Sequence, residues 1–346
     1  MALRAGLIGY GLAGKVFHAP LLHAAGIEVA FVATHRDAAL AQDFPKAHAL
    51  PDPMAVATST DVDLVVVASP NDSHFPLAMA ALQTGHAVVI DKPFTRTAEE
   101  AGQLIALARK KDLVLSAFHN RRWDSDFMTF RACMERGDLG GVLSYECRFD
   151  RFRPQVTERW RERPVPGGGL LYDLGPHLVD QALTLFGWPD WLLADINIQR
   201  PGSAVDDDFR ILMGKGKLRV LLSATHMAPG PGPKFVVHGD HGSFVKYGMD
   251  VQEDQLKTGT RPGDPDYGME PTENAARLSI VGPGGKVTTP LPTLRGNYPA
   301  YYVGVRRAME ESAPVPVRAE DARDTIRVLE LAIRSHQEGK KVLTPR

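Results

Sequence analysis

The sequence predicts a two-domain α/β protein: an N-terminal domain on a parallel sheet (residues 1–120), then a C-terminal α+β domain (residues 121–346) whose sheet is mostly antiparallel. Three observations predict it. An apolar strand runs straight into a G-x-G-x-x-G loop at Gly9, Gly11 and Gly14. Short apolar runs then alternate with helical patterns as far as Ala117, the signature of a parallel sheet with right-handed crossovers. After residue 120 the texture changes to longer strand-like runs joined by glycine-proline turns, which favours antiparallel pairing. The length of 346 residues supports the division, at roughly 150 residues per domain.

Ala5, Leu7 and Ile8 form the first strand, and Lys15 to Ala25 follows with Val16, Leu21, Leu22 and Ala25 at helical spacing. In such a strand-turn-helix the first glycine allows the tight turn, the second lets a pyrophosphate approach the backbone, and the third lets helix and strand pack closely. Gly9 to Gly14, with Leu12 and Ala13 between the last two glycines, is therefore a dinucleotide loop. Glu28 to Ala33 is the second strand. An acid about 20 residues past the glycines binds a ribose 2'-hydroxyl, whereas an arginine accommodates a 2'-phosphate. Here Thr34 holds the acid's place and Arg36 follows, which points to NADP ahead of NAD; Asp37 comes one residue later.

Asp63 to Ala68 is a continuous apolar run, as expected of a central strand buried on both faces. Ser69, Pro70 and Asn71 follow its carboxyl end, on the nicotinamide side of a dinucleotide, and a helix is expected from Pro76 to Thr84. His74 falls in its first turn, where capping or packing is read ahead of catalysis. His86 to Ile90 is a further strand and ends in Asp91-Lys92-Pro93, at the edge where open α/β sheets hold ligands. Near a cationic nicotinamide and away from bulk water, Lys92 can exchange a proton with a substrate. A helix from Ala98 to Lys110 and the run Leu113 to Ala117 complete the alternation of strands with helices.

In the second domain a helix is expected over Asp124 to Glu135. Strands follow at Val142 to Arg153, Trp191 to Gln199, Phe209 to Met213, Leu218 to Ala224, Phe235 to His238 and Arg277 to Val281. Residues 228–233 and 259–268 read as loops, and two helices, Tyr298 to Glu311 and Arg318 to Gln337, close the chain. Between the first two strands lies Gly167-Gly-Gly-Leu-Leu-Tyr-Asp-Leu-Gly-Pro-His-Leu-Val-Asp-Gln181. Its glycines permit close backbone approach, and Pro176 suits a first helical turn. Asp173 and His177, four apart, project towards one point, and a carboxylate beside the imidazole orients it and raises its basicity. Asp180 is read as supporting them. No cysteine or histidine at ligand spacing accompanies the pair, so no metal is expected.

A net charge of −1 and the absence of a basic run argue against nucleic acid and anionic membrane as partners. No apolar run approaches the roughly 20 residues of a membrane span. With two cysteines, Cys133 and Cys147, and no export signal, a cytoplasmic location is expected.

The glycine loop, the Lys92-Pro93 pair and the GGGxLxDLGxHLxD-like segment together resemble the glucose-fructose oxidoreductase/inositol dehydrogenase/rhizopine catabolism (Gfo/Idh/MocA) family over essentially the whole chain. GYGLAGKVFHAP at residues 9–20 and NRRWDSDF at 120–127 are similar to its NADP-dependent scyllo-inositol dehydrogenase branch. The resemblance implies a Rossmann domain, a second domain with a large, mostly antiparallel sheet used for dimer contacts, and a homodimer or homotetramer. The C-terminal helix is expected to pack back on the first domain. Lys92, Asp173 and His177 would form the catalytic group: His177 taking the alcohol proton, Asp173 tuning it, and Lys92 bonding the reacting oxygen. Asp91 departs from the family's Glu-Lys-Pro, keeping the charge with a shorter reach in a residue expected to help hold the cofactor. Arg148, Arg151, Trp160 and Arg161 are candidates for lining the pocket of a polyol or sugar. The activity implied is an NADP-dependent dehydrogenase. A glycosidase working through transient oxidation and a cofactor-sensing regulator without turnover are the alternatives.

Overall fold

Six short strands build the parallel sheet: β1 (Arg4–Ile8), β2 (Glu28–Ala33), β3 (His48–Leu50), β4 (Leu64–Val67), β5 (Ala87–Ile90) and β6 (Leu115–Ala117). Their order is β3-β2-β1-β4-β5-β6, so the order reverses between β1 and β4. Strands β4 (Leu-Val-Val-Val) and β5 (Ala-Val-Val-Ile) are buried at every position, as a sheet covered on both faces requires. The connecting helices are α1 (Ala19–Ala24), entered through a π-helical turn at Ala13–His18, then α2 (Asp37–Asp43), α3 (Pro53–Ala57), α4 (His74–Thr84) and α5 (Ala98–Lys111). Helix α5 shows why such a segment forms. Thr97 caps it by accepting from the Glu100 N–H, Ala101, Leu104, Ile105 and Ala108 face the core, and Arg109 to Lys111 sit at the negative end of its dipole.

The structure, a computed structural model, describes residues 2–230 and 232–345, without the side chain of Asp37. The chain divides into two compact units. The first comprises Met1–Trp123, Gln252–Tyr267 and Asn297–Ile326, so it adds to the parallel sheet α8 (Gln252–Thr258), α9 (Pro299–Glu311) and the start of α10 (Ala319–Glu338). Gln252 joins these pieces, donating to the Trp123 carbonyl at 3.0 Å and accepting from the Tyr298 N–H at 2.7 Å. Tyr298, Tyr301 and Tyr302 are fully buried there.

The second unit comprises Asp124–Val251, Gly268–Gly296 and Arg327–Arg346. Its helices α6 (Ser125–Glu135) and α7 (Leu170–Phe186) accompany β7 (Val142–Asp150), β8 (Trp191–Asn197), β9 (Asp208–Lys215), β10 (Leu218–Thr225), β11 (Phe235–Gly239), β12 (Gly242–Lys246), β13 (Ala276–Gly282), β14 (Gly285–Leu291) and β15 (Val342–Leu343). The nine strands form one sheet, ordered β14-β13-β12-β11-β7-β10-β9-β8-β15, in which β7 and β10 alone pair in parallel. Along β7, buried Tyr145, Cys147 and Phe149 alternate with half-exposed residues, and α7 packs on β7, β9 and β10.

Several elements differ from the sequence reading. Helix α7 starts at Leu170, so Pro176 lies inside the helix instead of in its first turn. The proline contributes no N–H to the helix ladder, a loss offset by burying Leu170, Leu171, Leu174 and Leu178. Helix α4 starts at His74, two residues before Pro76, after a 3₁₀ turn at Asn71–Ser73. Strands β3, β12, β14 and β15 are additional. β3 and β15 have three and two residues, and β14 carries Pro290, which an edge strand tolerates. The loop expected at 228–233 includes Pro231, which lies outside the described residues. Among the described residues no helix is long and apolar enough to cross a membrane.

Candidate functional site

The first unit gathers its candidate residues at the carboxyl edge of the parallel sheet. The glycine loop is shaped by what surrounds it. Gly9 has φ +103°, and a Cβ there would stand 2.6 Å from the Ala68 carbonyl oxygen; a Cβ on Gly14 would stand 1.9 Å from the Gly9 carbonyl oxygen. These two glycines are therefore required by the backbone itself. Gly11 differs, because nothing lies within 4 Å of its Cβ position. The space over Gly11 is open at the start of the Ala13–His18 turn, beside exposed Leu12, and a pyrophosphate fits such a cradle.

At the end of β2, the Thr34 hydroxyl accepts from the Arg36 N–H at 3.0 Å. The exposed Arg36 guanidinium reaches back over the loop to the Tyr10 carbonyl at 3.4 Å. The Tyr10 hydroxyl donates to Asp43, and Lys15 pairs with the same carboxylate oxygen at 2.8 Å. Burial works to raise Asp43, but Lys15, Tyr10 and Arg261 outweigh it and hold its carboxyl below the usual range. The Asp37 side chain lies outside the described residues.

At the ends of β4 and β5, the Ser69 and Ser73 hydroxyls meet at 2.6 Å, and Asn71 is buried. His74 is buried behind this turn, with Nδ1 2.9 Å from the Pro93 carbonyl and Nε2 2.9 Å from that of Ser69. Its ring thus ties the Ser69-Pro70 turn to the Lys92-Pro93 segment from within. A neutral imidazole has one N–H and donates to one of these carbonyls at a time. Burial pushes His74 below its usual value against the pull of Asp91, which favours that neutral form.

Asp91 is also buried, and its Oδ1 accepts from the Lys92 N–H at 2.9 Å, with His18 Nε2 3.7 Å away. The other ring nitrogen of His18 lies 2.6 Å from the Tyr302 hydroxyl. His18 thus stands beside the shorter acid. Burial works to raise Asp91, but His18, Lys92 and His74 together keep its carboxyl below the usual range. Lys92 itself is half-buried at the sheet edge.

The second unit holds the other candidates around the start of α7. Gly169 precedes it with φ +89°, and the first-turn N–H of Leu171 donates to Asp206 Oδ2 at 2.6 Å. Asp173 in that turn is part-exposed, 3.3 Å from Arg161 Nε, and the Arg161 guanidinium covers the Trp160 ring at 4.9 Å. His177 follows one turn later on the same face and is 6% exposed; Asp180 is more deeply buried. The structure therefore brings Arg161 to Asp173, with the Trp160 ring against the Arg161 guanidinium. It turns Arg148 to Glu146 on its own strand, at 2.8 Å, and lays Arg151 over the Phe149 ring at 4.6 Å.

Three residues of this neighbourhood were not among the sequence candidates. Arg200 is buried against Asp207 at 2.9 Å and donates to the carbonyls of Arg153 and Gln155, fixing the segment that carries Trp160 and Arg161. His226 lies buried just past the end of β10, its N–H donating to the Asp207 carbonyl and its carbonyl accepting from the Arg153 N–H. Burial, helped by Arg200, Arg153 and Arg151 and opposed by Asp173, pushes its pKa down to about 4, so it is neutral at pH 7. Asp206 is the third. The run Asp206-Asp207-Asp208, which leads into β9, is the one sequence signal that marks it.

Residues 3–119 match the model of the oxidoreductase family's NAD-binding Rossmann fold, and residues 131–344 match that of its C-terminal alpha/beta domain. The chain is 44% identical to the oxidoreductase YdgJ of Escherichia coli, covering 96% of both. It is 36% identical to IolW of Bacillus subtilis, a scyllo-inositol 2-dehydrogenase (NADP(+)), over 99% of this chain and 96% of that one. A solved Bacillus subtilis oxidoreductase, yvaA, matches with a TM-score of 0.97 and 36% identity over 99% of each chain. With both domain models matched, together over nearly the whole chain, and IolW 36% identical across it, the chain belongs to the Gfo/Idh/MocA family of oxidoreductases.

Proposed function

We propose that this oxidoreductase transfers a hydride between NADP and the secondary alcohol of a cyclic polyol or sugar. The observation that carries the cofactor choice is Arg36. Its guanidinium lies over the glycine loop at the end of β2, where an NAD-specific site would present a carboxylate to the ribose. The NADP dependence of IolW is in line with it. The open space at Gly11 fits the pyrophosphate, Ser69, Pro70 and Asn71 flank the nicotinamide side, and Asp91 acts through Lys92. The nicotinamide, when bound, supplies the hydride acceptor.

On the protein side, Lys92 donates a hydrogen bond to the reacting oxygen and His177 takes the hydroxyl proton. Asp173 orients the imidazole and shares its charge with Arg161. Trp160 offers an apolar face to the ring of a polyol, while Arg161 and Arg151 supply donors for its remaining hydroxyls; Arg148, paired with Glu146 on the face of β7 turned from α7, is not among them. The buried free thiols of Cys133 and Cys147 suit a reducing cytoplasm. On the sheet face turned from α7, Val245, Val236, Glu146, Leu221, Leu212 and Leu193 stand in one row across six strands. We assign that row to contact between two copies in a homodimer or homotetramer.

A panel of cyclic polyols and aldoses, assayed for nucleotide reduction with NADP and NAD in parallel, tests this reading. Reduction of NADP well ahead of NAD by a cyclic polyol is expected. If no alcohol reduces either nucleotide although the protein binds NADPH, the dehydrogenase reading fails. Glycoside cleavage without net NADPH would select transient oxidation instead.

Two variants test the cofactor side. Arg36→Ala should weaken NADP about 10- to 100-fold, the worth of a charged hydrogen bond, and leave NAD within about twofold. Equal losses for both nucleotides would remove the 2'-phosphate from Arg36. His74→Leu unties the Ser69 and Pro93 carbonyls and should weaken NADPH about tenfold in a fluorescence titration. Unchanged affinity and kcat would show that the clamp does not serve the site.

A further inference from the structure

The start of α7 is held by a residue outside the helix. The Leu171 N–H donates to Asp206 Oδ2, and the Leu170 N–H donates to the Asp206 carbonyl at 2.9 Å. These are two of the four donors that a helix leaves open at its N-terminus. The preceding residue offers no side chain to cap them, and a Cβ on Gly169 would stand 1.9 Å from Asp206 Oδ1. The last glycine of the triglycine is thus the space that this carboxylate fills. The neighbouring acids are engaged elsewhere: Asp207 with Arg200 and the Gln199 N–H, and Asp208 with Arg210 at 2.7 Å.

We propose that Asp206 is a positioning residue for the reaction: its carboxylate fixes the first turn of α7, which carries Asp173, and its charge at that end makes His177 a readier proton acceptor. The proposal rests on the assignment of His177 as the base. Leu171 and His177 are six residues apart, about 9 Å at 1.5 Å per residue. The positive end of a helix dipole disfavours a protonated imidazole near it, and an anion on the exposed N–H groups offsets that field. The charged groups around this end are Asp173 with Arg161, and Asp207 with Arg200 and Glu162; His226 is neutral. Burial lifts Asp206 to about 6 against the bonds from Leu171 and Leu170, so its charge is present at pH 7 and is lost as the pH falls through 6.

The test compares Asp206→Asn and Asp206→Ala in the full-length enzyme, through the pH dependence of kcat/KM for alcohol oxidation and NADP affinity. Asp206→Asn keeps an acceptor for Leu171 and removes the charge. It should hold the plateau within a few-fold and move the acidic limb down by about half to one pH unit. Asp206→Ala also removes the acceptor and should lower kcat about tenfold with NADP affinity unchanged. A limb that stays in place in Asp206→Asn, while His177→Ala remains inactive, overturns the proposal and leaves Asp206 a structural cap. Turnover retained by His177→Ala would instead overturn the base assignment. If Asp206→Ala does not fold, as judged by circular dichroism, Asp206→Asn decides alone.

Discussion

His177→Ala should lower kcat by about 10²- to 10⁴-fold, the usual worth of a positioned general base, and leave NADP affinity within about twofold. The asymmetry follows from where the groups are. Every residue assigned to the nucleotide belongs to the first unit, whereas His177 sits on α7 in the second. The histidine is 6% exposed, so its removal also leaves a cavity, and the folded fraction must be measured alongside. Asp173→Asn separates charge from shape. It retains an oxygen near the ring and loses the carboxylate that Arg161 contacts, so a smaller fall, about tenfold to 10²-fold, is expected. If His177→Ala turns over at more than about a tenth of the normal rate, the proton passes through another group. Lys92 would be the next to replace.

What could be seen in advance was what is encoded locally. β2 and β4 announce themselves by apolar runs, and the glycine loop by its spacing. Asp173 and His177 are visible because four residues make one helical turn wherever the helix begins. The start of α7 was hidden for a physical reason. Pro176 reads as a first-turn residue, since there it costs no hydrogen bond, yet the helix runs through it for the sake of four buried leucines. The group that completes the helix start, Asp206, lies 35 residues from Leu171 and no periodicity connects them.

The same limit applies to the first unit. Gln252–Tyr267 and Asn297–Ile326 return to it across long sequence separations, and a helical pattern in either says that one face packs without saying on what. Asp91 shows the limit at the scale of one side chain. The sequence exposes the missing methylene, but only the fold reveals that His18, anchored on Tyr302, stands beside the shorter acid.

Gly14→Ala and Gly11→Ala should fail in opposite ways, although both glycines belong to one motif. A Cβ on Gly14 would lie 1.9 Å from the Gly9 carbonyl oxygen and 2.9 Å from its carbon, both backbone atoms that no rotamer change can move aside. The helical turn must shift off β1, in a region where Leu7, Ile8 and Ala68 leave little slack. A loss of about 3 kcal/mol or more of stability is expected, measured by denaturant unfolding without nucleotide. Gly11→Ala meets nothing within 4 Å and should unfold like the parent protein. Its methyl group would instead occupy the space assigned to the pyrophosphate and hold phosphate oxygens off the backbone N–H groups. One or two charge-assisted bonds lost in this way weaken NADP by about 10- to 10³-fold. Because the two readouts are separate, the pair distinguishes a loop that merely turns from one that also binds. If Gly11→Ala binds NADP normally, the open cradle is not where the pyrophosphate lies; if Gly14→Ala is as stable as the parent, the close packing of loop and helix is not what demands glycine there.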